Sequence, residues 1–147
     1  MSPDRIWKLG LTWAILGLAG CGSDGPEIAY VSGRVTLDGK PLAGASIVFI
    51  PENGRPSGAR TDENGYYVLN FDERRKGAIP GKSLVRITTL REAEQDEHGK
   101  VVLPASPERI PMRYNTNSEL YFVVEPKKKN VANFDLKSGG PIAASDE

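Results

Sequence analysis

The sequence is poor in the residue types that build most catalytic and metal centres. Its 147 residues include one histidine, His98, and one cysteine, Cys21. One histidine leaves a single possible base for Ser/His chemistry, and His98 lies in a hydrophilic stretch without a supporting cluster. We therefore interpret His98 as a solvated loop residue and predict a protein that is not an enzyme and holds no metal or cofactor.

The chain also lacks an excess of charge of either sign. Lysine plus arginine equals aspartate plus glutamate at 19 each. This balance indicates no surface for polyanions, so nucleic acid is not an expected partner. A short basic run, residues 74–76, sits beside Asp72 and Glu73 between turn residues. We interpret this run as a solvated loop.

Long hydrophobic runs are missing too. The apolar residues 9–18 fall short of the about 20 that a membrane-spanning helix needs. Arg5 and Lys8 precede this run, and the small residues Ala19 and Gly20 follow it. This order of charge, apolar run and small residues is typical of a secretory signal peptide. We predict a signal peptide at residues 1–20.

The junction at the end of this segment carries a specific motif. Leu18, Ala19, Gly20 and Cys21 resemble the lipobox of bacterial lipoprotein precursors in all four positions. The resemblance implies cleavage before Cys21, a diacylglyceryl thioether on its sulfur and a further acyl chain, such as palmitate, on its amine. Two or three chains anchor durably, because each buried methylene contributes about 0.8 kcal/mol. Alternatively, Cys21 ends an ordinary signal peptide and leaves an odd thiol in an exported protein.

Residues 21–29 form a polar stretch with Gly and Pro, which we interpret as the lipidated cysteine and a tether. Fully extended, its eight residues after Cys21 span on the order of 27 Å, so the domain lies close to the membrane. In well-studied Gram-negative bacteria, Asp after the lipidated cysteine favours the inner membrane. Gly22 stands here. The expected location is therefore the cell envelope at the outer membrane, periplasmic or surface-facing.

The remaining sequence alternates in a way that predicts β-strands. Residues 31–37 have a period of two, and Asp38 and Gly39 then supply turn residues that start a hairpin or tight corner. Tyr67, Leu69 and Phe71 share one face and are core candidates. The other predicted strands are residues 45–50, 84–90, 120–124 and 133–136. The size suits one all-β domain of six or seven strands at residues 30–137.

Residues 31–45 and 61–69, continued by Pro80, Gly81 and Lys82, resemble the carboxypeptidase regulatory-like, transthyretin-like (prealbumin-like) domains. The resemblance implies a seven-stranded Greek-key β-sandwich in which Tyr67 is the buried aromatic. Leu84 departs from the aromatic that usually follows the Pro-Gly turn. Hydroxyisourate hydrolases related to transthyretin need several histidines and a C-terminal tetrapeptide that this chain lacks, which excludes that activity.

Three segments offer little chemistry. Thr61, Asp62 and Asn64 faintly resemble the start of a calcium loop, but an ordinary Asx turn is the simpler interpretation. Residues 91–117 form a long stretch without regular pattern, and loops this long are functional or disordered. Residues 138–147 are expected to be a disordered tail.

The sequence thus predicts a lipid-anchored, non-catalytic envelope protein whose β-sandwich is a structural or protein-binding module. Its partners would be the membrane and an envelope protein or glycan. The alternative is a carbohydrate-binding, small-ligand-binding or enzymatic domain with its site in residues 91–117. Tyr66, Tyr114 or Tyr121 would then contact the sugar, and exposed tyrosines clustered on one face would favour this alternative.

The soluble domain from Glu27 to Ser138 is expected to melt at a temperature that does not depend on metal ions. A metal bound only by the folded state, at hundredfold excess over Kd, stabilises by about 2.7 kcal/mol and raises the melting temperature by several degrees. Thermal melting in chelator, then in millimolar calcium or micromolar zinc, measures the effect. An upward shift that Asp62→Ala or His98→Ala abolishes would contradict the prediction.

Overall fold

The computed structural model describes residues 25–143, which form an all-β domain. This confirms the prediction that the fold is all-β. Within this part of the chain the helical structure is one 3-10 turn at Met112–Tyr114, and no helix is long and apolar enough to cross a membrane. The strands are β1 (Val31–Leu37), β2 (Lys40–Pro41), β3 (Ser46–Pro51), β4 (Ser57–Arg60), β5 (Tyr66–Val68), β6 (Gly81–Thr88), β7 (Glu94–Gln95), β8 (Val101–Leu103), β9 (Leu120–Val124), β10 (Asn130–Val131) and β11 (Phe134–Leu136).

Strand β1 organises the first sheet. It pairs in parallel with β10 and then β11, which keep the same register along it, from Val31 opposite Asn130 to Leu37 opposite Leu136. It pairs antiparallel with β5 and β2. The turn into β2 runs through Asp38 at φ 50° and Gly39 at φ 78°, the tight corner that these two residue types favour.

The second sheet is antiparallel throughout, in the order β4, β3, β6, β9. Strand β3 is internal, between β4 and β6. Its two faces differ, because Ile47 and Phe49 are fully buried whereas Val48 and Ile50 are half-buried on the outer side.

One hydrophobic core joins the two sheets. Phe49 of β3 lies 5.8 Å, centroid to centroid, from Phe122 of β9 and 6.2 Å from Phe134 of β11 in the other sheet. The predicted core residues Tyr67 and Leu69 are buried within it, and Phe71 is buried as well. The side chains that the sequence alternation predicts to be in the core are therefore buried.

A close contact crosses the middle of β1. The backbone carbonyl of Ala132 lies where a side chain on residue 33 would be, since a Cβ there would approach its oxygen to 1.8 Å. The Tyr67 hydroxyl donates a 2.6 Å hydrogen bond to the same carbonyl, and burial raises the pKa of Tyr67. The phenol therefore stays a proton donor. Beside it, the Arg34 amide donates a 2.9 Å hydrogen bond to the Asn133 side chain, at the point where the pairing of β1 is interrupted between β10 and β11.

Residues 91–117 are more regular than expected. Strands β7 and β8 form a small hairpin, and Ile110 after it is fully buried. Strands of two and three residues are too short to show a period in the sequence. The sequence pattern also misses β4, because Ser-Gly-Ala-Arg has no apolar alternation.

The segment after β11 runs over the surface without forming a strand up to residue 143. Arg113 donates a 2.6 Å hydrogen bond to the carbonyl of Lys137, and the Met112 amide donates to Pro141 at 2.9 Å. The first residues of the predicted tail are therefore held against the 3-10 turn.

Gly33→Ala is expected to lower the free energy of unfolding by about 3 kcal/mol, because the new methyl group displaces the Ala132 carbonyl. Ser32→Ala, one residue earlier on the outer face, is the matched control and should cost under about 0.5 kcal/mol. Chemical denaturation measures both. Equal losses would show that Gly33 does not limit this contact.

Tyr67→Phe removes only the hydroxyl and should cost about 1 kcal/mol, the net value of one hydrogen bond. Tyr67→Ala also removes the buried ring and should cost about 3–5 kcal/mol. A phenylalanine variant as stable as the parent would mean that the bond to Ala132 contributes nothing net.

Candidate functional site

A groove of about 470 Å³ opens on the outer face of the second sheet. Its floor consists of residues that alternate with the core residues of β3 and β6, so they point away from the other sheet. The 91–117 segment forms one wall. This is the segment in which the alternative prediction from the sequence places a ligand site. The lining residues are Val48, Ile50, Arg86, Thr88, Leu90, Glu108, Asn115, Thr116 and Ala143.

Glu108 fastens this wall to the end of β6. Its Oε1 accepts hydrogen bonds from the amide of Thr89 at 2.9 Å and from the Thr89 hydroxyl at 3.0 Å, and its Oε2 accepts one from the Thr88 hydroxyl. Burial raises the pKa of Glu108, but these hydrogen bonds and one from the Ile110 amide outweigh burial and leave the pKa below its ordinary value. A general base near neutral pH needs a raised pKa, so this carboxylate suits a structural role.

Two further side chains hold the wall in place. The Asn115 side-chain amide is buried and donates to the carbonyls of Ile87 and Pro111 at 3.3 and 3.4 Å. The Ser118 hydroxyl donates to the carbonyl of Val85.

Arg86 is the charged group of this groove that remains available to a ligand. It is exposed and forms no ion pair within residues 25–143. The groove therefore combines an apolar floor at Val48 and Ile50 with one open cation. This chemistry fits a ligand with an apolar body and an anionic group.

The three tyrosines of the carbohydrate alternative do not form one surface. Tyr66 is 53% exposed on β5 in the first sheet, and Tyr121 is 55% exposed on β9 in the second sheet. Tyr114 packs against the core, and its hydroxyl accepts a 3.1 Å hydrogen bond from the Lys137 amide. No shared aromatic platform results from these positions.

His98 and Asp62 both lie in exposed turns. The His98 amide donates to the Asp96 carboxylate in the turn between β7 and β8. Asp62 Oδ1 accepts 2.9 Å hydrogen bonds from the amides of Asn64 and Tyr66, which is an Asx turn. Across residues 25–143 no group of three or more His, Cys, Asp or Glu side chains is placed to hold a metal ion.

A second, open cleft of about 530 Å³ lies at the end of the sandwich where β1 begins. Asp72 accepts hydrogen bonds from Arg75 Nη2 at 2.7 Å and Nε at 2.9 Å, and the Arg75 contact lowers the pKa of Asp72 to about 2. Arg55 and Arg75 both lie over the Phe71 ring, at 5.7 and 4.7 Å from its centroid. The lining residues are Arg55, Asp72, Glu73, Arg74 and Arg75.

Sequence reasoning treated residues 74–76 alone and missed Arg55, which comes from a different loop. The signal that could have found it is the aromatic Phe71, since the face of an aromatic ring attracts guanidinium groups. Arg74 and Lys76 are exposed, as a solvated loop requires, whereas Arg75 is half-buried and ion-paired.

The residues of the predicted lipidation motif, Leu18, Ala19, Gly20 and Cys21, lie outside the described residues. The first described residue, Gly25, lies against the second cleft, because a Cβ on it would be 2.6 Å from Arg75 Nη1. The described part of the chain thus begins at this cleft.

No family model matches the sequence, and no curated protein matches it. Among solved structures, the chain is similar to a DUF3823 family protein from Parabacteroides merdae ATCC 43184, known from a crystal structure at 1.80 Å resolution. The two are 16% identical with a TM-score of 0.40, and the alignment covers 76% of this chain. This chain spans about half of that protein, with 47% of the solved chain covered.

Glu108→Gln is expected to destabilise the domain by about 1–2 kcal/mol near neutral pH, because an amide cannot accept all the hydrogen bonds of the carboxylate. Glu119→Gln on the exposed surface is the matched control. The folded-state pKa of Glu108 lies below 4.5, so its stabilisation is present above pH 4.5 and is lost as the pH falls through the lowered value. Thermal melting across this range should show the parent and Glu108→Gln converging in acid. A difference that grows on acidification would contradict the assignment.

Proposed function

We propose that this chain is a lipid-anchored protein of the bacterial cell envelope, acylated on Cys21, whose β-sandwich serves as a non-catalytic structural or protein-binding module. The observation that carries the proposal is the sequence Leu18-Ala19-Gly20-Cys21, directly behind a short apolar run with a basic start. Lipid attachment needs a thiol at that position and small residues before it. Gly22 favours the outer membrane as the destination.

The way the chain enters the domain supports the anchor. Gly25 already touches the domain at Arg75, and Ala29 is hydrogen-bonded in both directions to Ala78. Three residues separate Cys21 from Gly25, so the Cα atoms of these two residues are at most about 14 Å apart. A domain attached this closely has one end fixed at the membrane and its other surfaces free for a partner.

The topology supports the finer proposal of a transthyretin-like Greek-key sandwich. Counting β10 and β11 as one interrupted strand and leaving out the short β2 and the β7–β8 hairpin, seven strands divide between two sheets. The first strand lies beside the last, and the intervening strands cross between the sheets. Tyr67 occupies the buried aromatic position that the family resemblance implies.

The two carboxylates with shifted pKa values, Asp72 and Glu108, support a structural or binding module rather than a catalyst. Asp72 is held by Arg75, Glu108 by the threonines of β6, and both have pKa values lowered rather than raised. Glu108 ties the 91–117 segment to the end of β6, and Asp72 closes its own turn at residues 72–75. Their chemistry is that of structural anions.

A second candidate function rests on the groove above β3 and β6. Arg86 is exposed beside the apolar floor, and the 91–117 segment contributes Glu108, Asn115 and Thr116 to the wall. A small anionic ligand with an apolar body is the class that fits. The separated tyrosines give no support to a sugar.

Cys21→Ser tests the anchor. Labelled fatty acid should enter the parent protein in cells, and the serine variant should carry no label and keep its leader, because a hydroxyl does not accept the diacylglyceryl group. Ser23→Ala, two residues away, is the matched control and should label like the parent. Gel mobility and mass spectrometry of the mature N-terminus report cleavage. Equal labelling of parent and Cys21→Ser would refute the anchor.

A further inference from the structure

The end of the sandwich that receives the tether collects basic residues from separate parts of the chain. Ala29 pairs with Ala78, which brings residues 74–76 to this end. Val31 pairs with Asn130, which brings the lysine turn 127–129 to the same end. Arg55 joins them over the Phe71 ring. Strand β6 also begins here, with Gly81 opposite Val124 and Lys82 opposite Val123.

The charge of this end differs from that of the whole chain. Counted from the sequence, it holds eight basic residues and five acidic ones, an excess of three positive charges. The rest of residues 25–143 has nine basic and ten acidic residues. We name the eight basic residues the anchor-end basic surface: Arg55, Arg74, Arg75, Lys76, Lys82, Lys127, Lys128 and Lys129. The acidic residues at this end are Glu27, Glu52, Asp72, Glu73 and Glu125.

Most of these cations are available. Within residues 25–143, Arg75 pairs with Asp72 and Lys128 pairs with Glu125. Arg74, Lys76 and the outer lysines of the 127–129 turn are exposed and form no ion pair in that range. The excess charge therefore faces solvent.

Distance connects this surface with the membrane. Arg75 touches Gly25, and Gly25 is at most about 14 Å along the chain from Cys21. A tether this short lets this end approach the headgroups to within the screening length, which is about 8 Å at physiological salt, so its cations interact with headgroup charge when Cys21 is inserted. Each Lys or Arg near an anionic membrane strengthens binding about fivefold.

We propose that the anchor-end basic surface docks on anionic phospholipid headgroups beside the lipid anchor and so sets the orientation of the domain. This inference rests on the proposed lipid anchor. Arg55, Arg74 and Arg75 line one cleft, whereas the other five cations, Lys76, Lys82 and the three lysines of the 127–129 turn, lie outside its lining. This spread fits a charged plane rather than a single phosphate. With this end down, the groove at Arg86 and the β7–β8 hairpin belong to the part of the domain beyond the membrane.

The test uses residues 22–147, which retain every residue of the hydrophobic core and lack Cys21, so binding is measured without acylation. Binding to phosphatidylcholine vesicles, with and without phosphatidylglycerol, is measured by co-sedimentation. The variant Lys76→Gln/Lys127→Gln/Lys129→Gln removes three exposed cations. The control Lys40→Gln/Lys100→Gln/Lys137→Gln removes three exposed cations elsewhere on the domain. Thermal melting verifies that both variants fold.

The parent should bind the anionic vesicles, and binding should fall as sodium chloride is raised. The anchor-end variant should bind on the order of 100-fold more weakly, whereas the control should bind like the parent. Equal losses in the two variants, or equal binding to neutral vesicles, would overturn the proposal. So would stronger displacement by inorganic phosphate than by sodium chloride at equal ionic strength, which would indicate a phosphate pocket instead.

The vesicle-binding measurement tests the docking surface independently of the lipid anchor. Loss of fatty-acid labelling in the parent would refute the proposed function and leave the vesicle measurement unaffected, because that protein has no Cys21. Labelling of Cys21 without vesicle binding would keep the anchor and refute the docking surface.

Discussion

The contact among Gly33, Ala132 and Tyr67 holds together strands from the beginning, the middle and the end of the chain. The missing side chain at position 33 lets the Ala132 carbonyl approach β1, and the Tyr67 hydroxyl satisfies that carbonyl from the core side. A buried carbonyl without a donor would cost as much as a lost hydrogen bond. The first sheet therefore depends on three residues that are far apart in sequence. Gly33 precedes Tyr67 by 34 positions, and Tyr67 precedes Ala132 by 65.

The second sheet packs against the first through the hydrophobic core. Phe49 meets Phe134 from one sheet and Phe122 from its own, so the aromatic contacts fix how the sheets face one another. Glu108 and Asn115 then attach the 91–117 segment to the end of β6. The groove has its shape because these polar contacts hold its wall against an apolar floor.

The sequence predicts the long strands well because their burial repeats every two residues, as in Val31 and Val35 of β1 and in Val85 and Ile87 of β6. It fails for β4, whose four residues pair through the backbone alone, and for the hairpin at residues 94–103, whose strands are too short. The basic end is also hidden from the sequence. Composition shows no net charge, and only the pairings of Ala29 with Ala78 and Val31 with Asn130 bring the separate cations together.

The parallel pairing of β1 with β10 and β11 has a consequence for how the chain folds. The Asn130 amide donates to the carbonyl of Tyr30, 100 residues earlier. A chain synthesised from its N-terminus contains β1 long before β10 and β11, so one edge of β1 stays unpaired until these last strands are made. Closing a loop of this length makes folding slow. The first sheet is therefore complete only after nearly all of the chain is available.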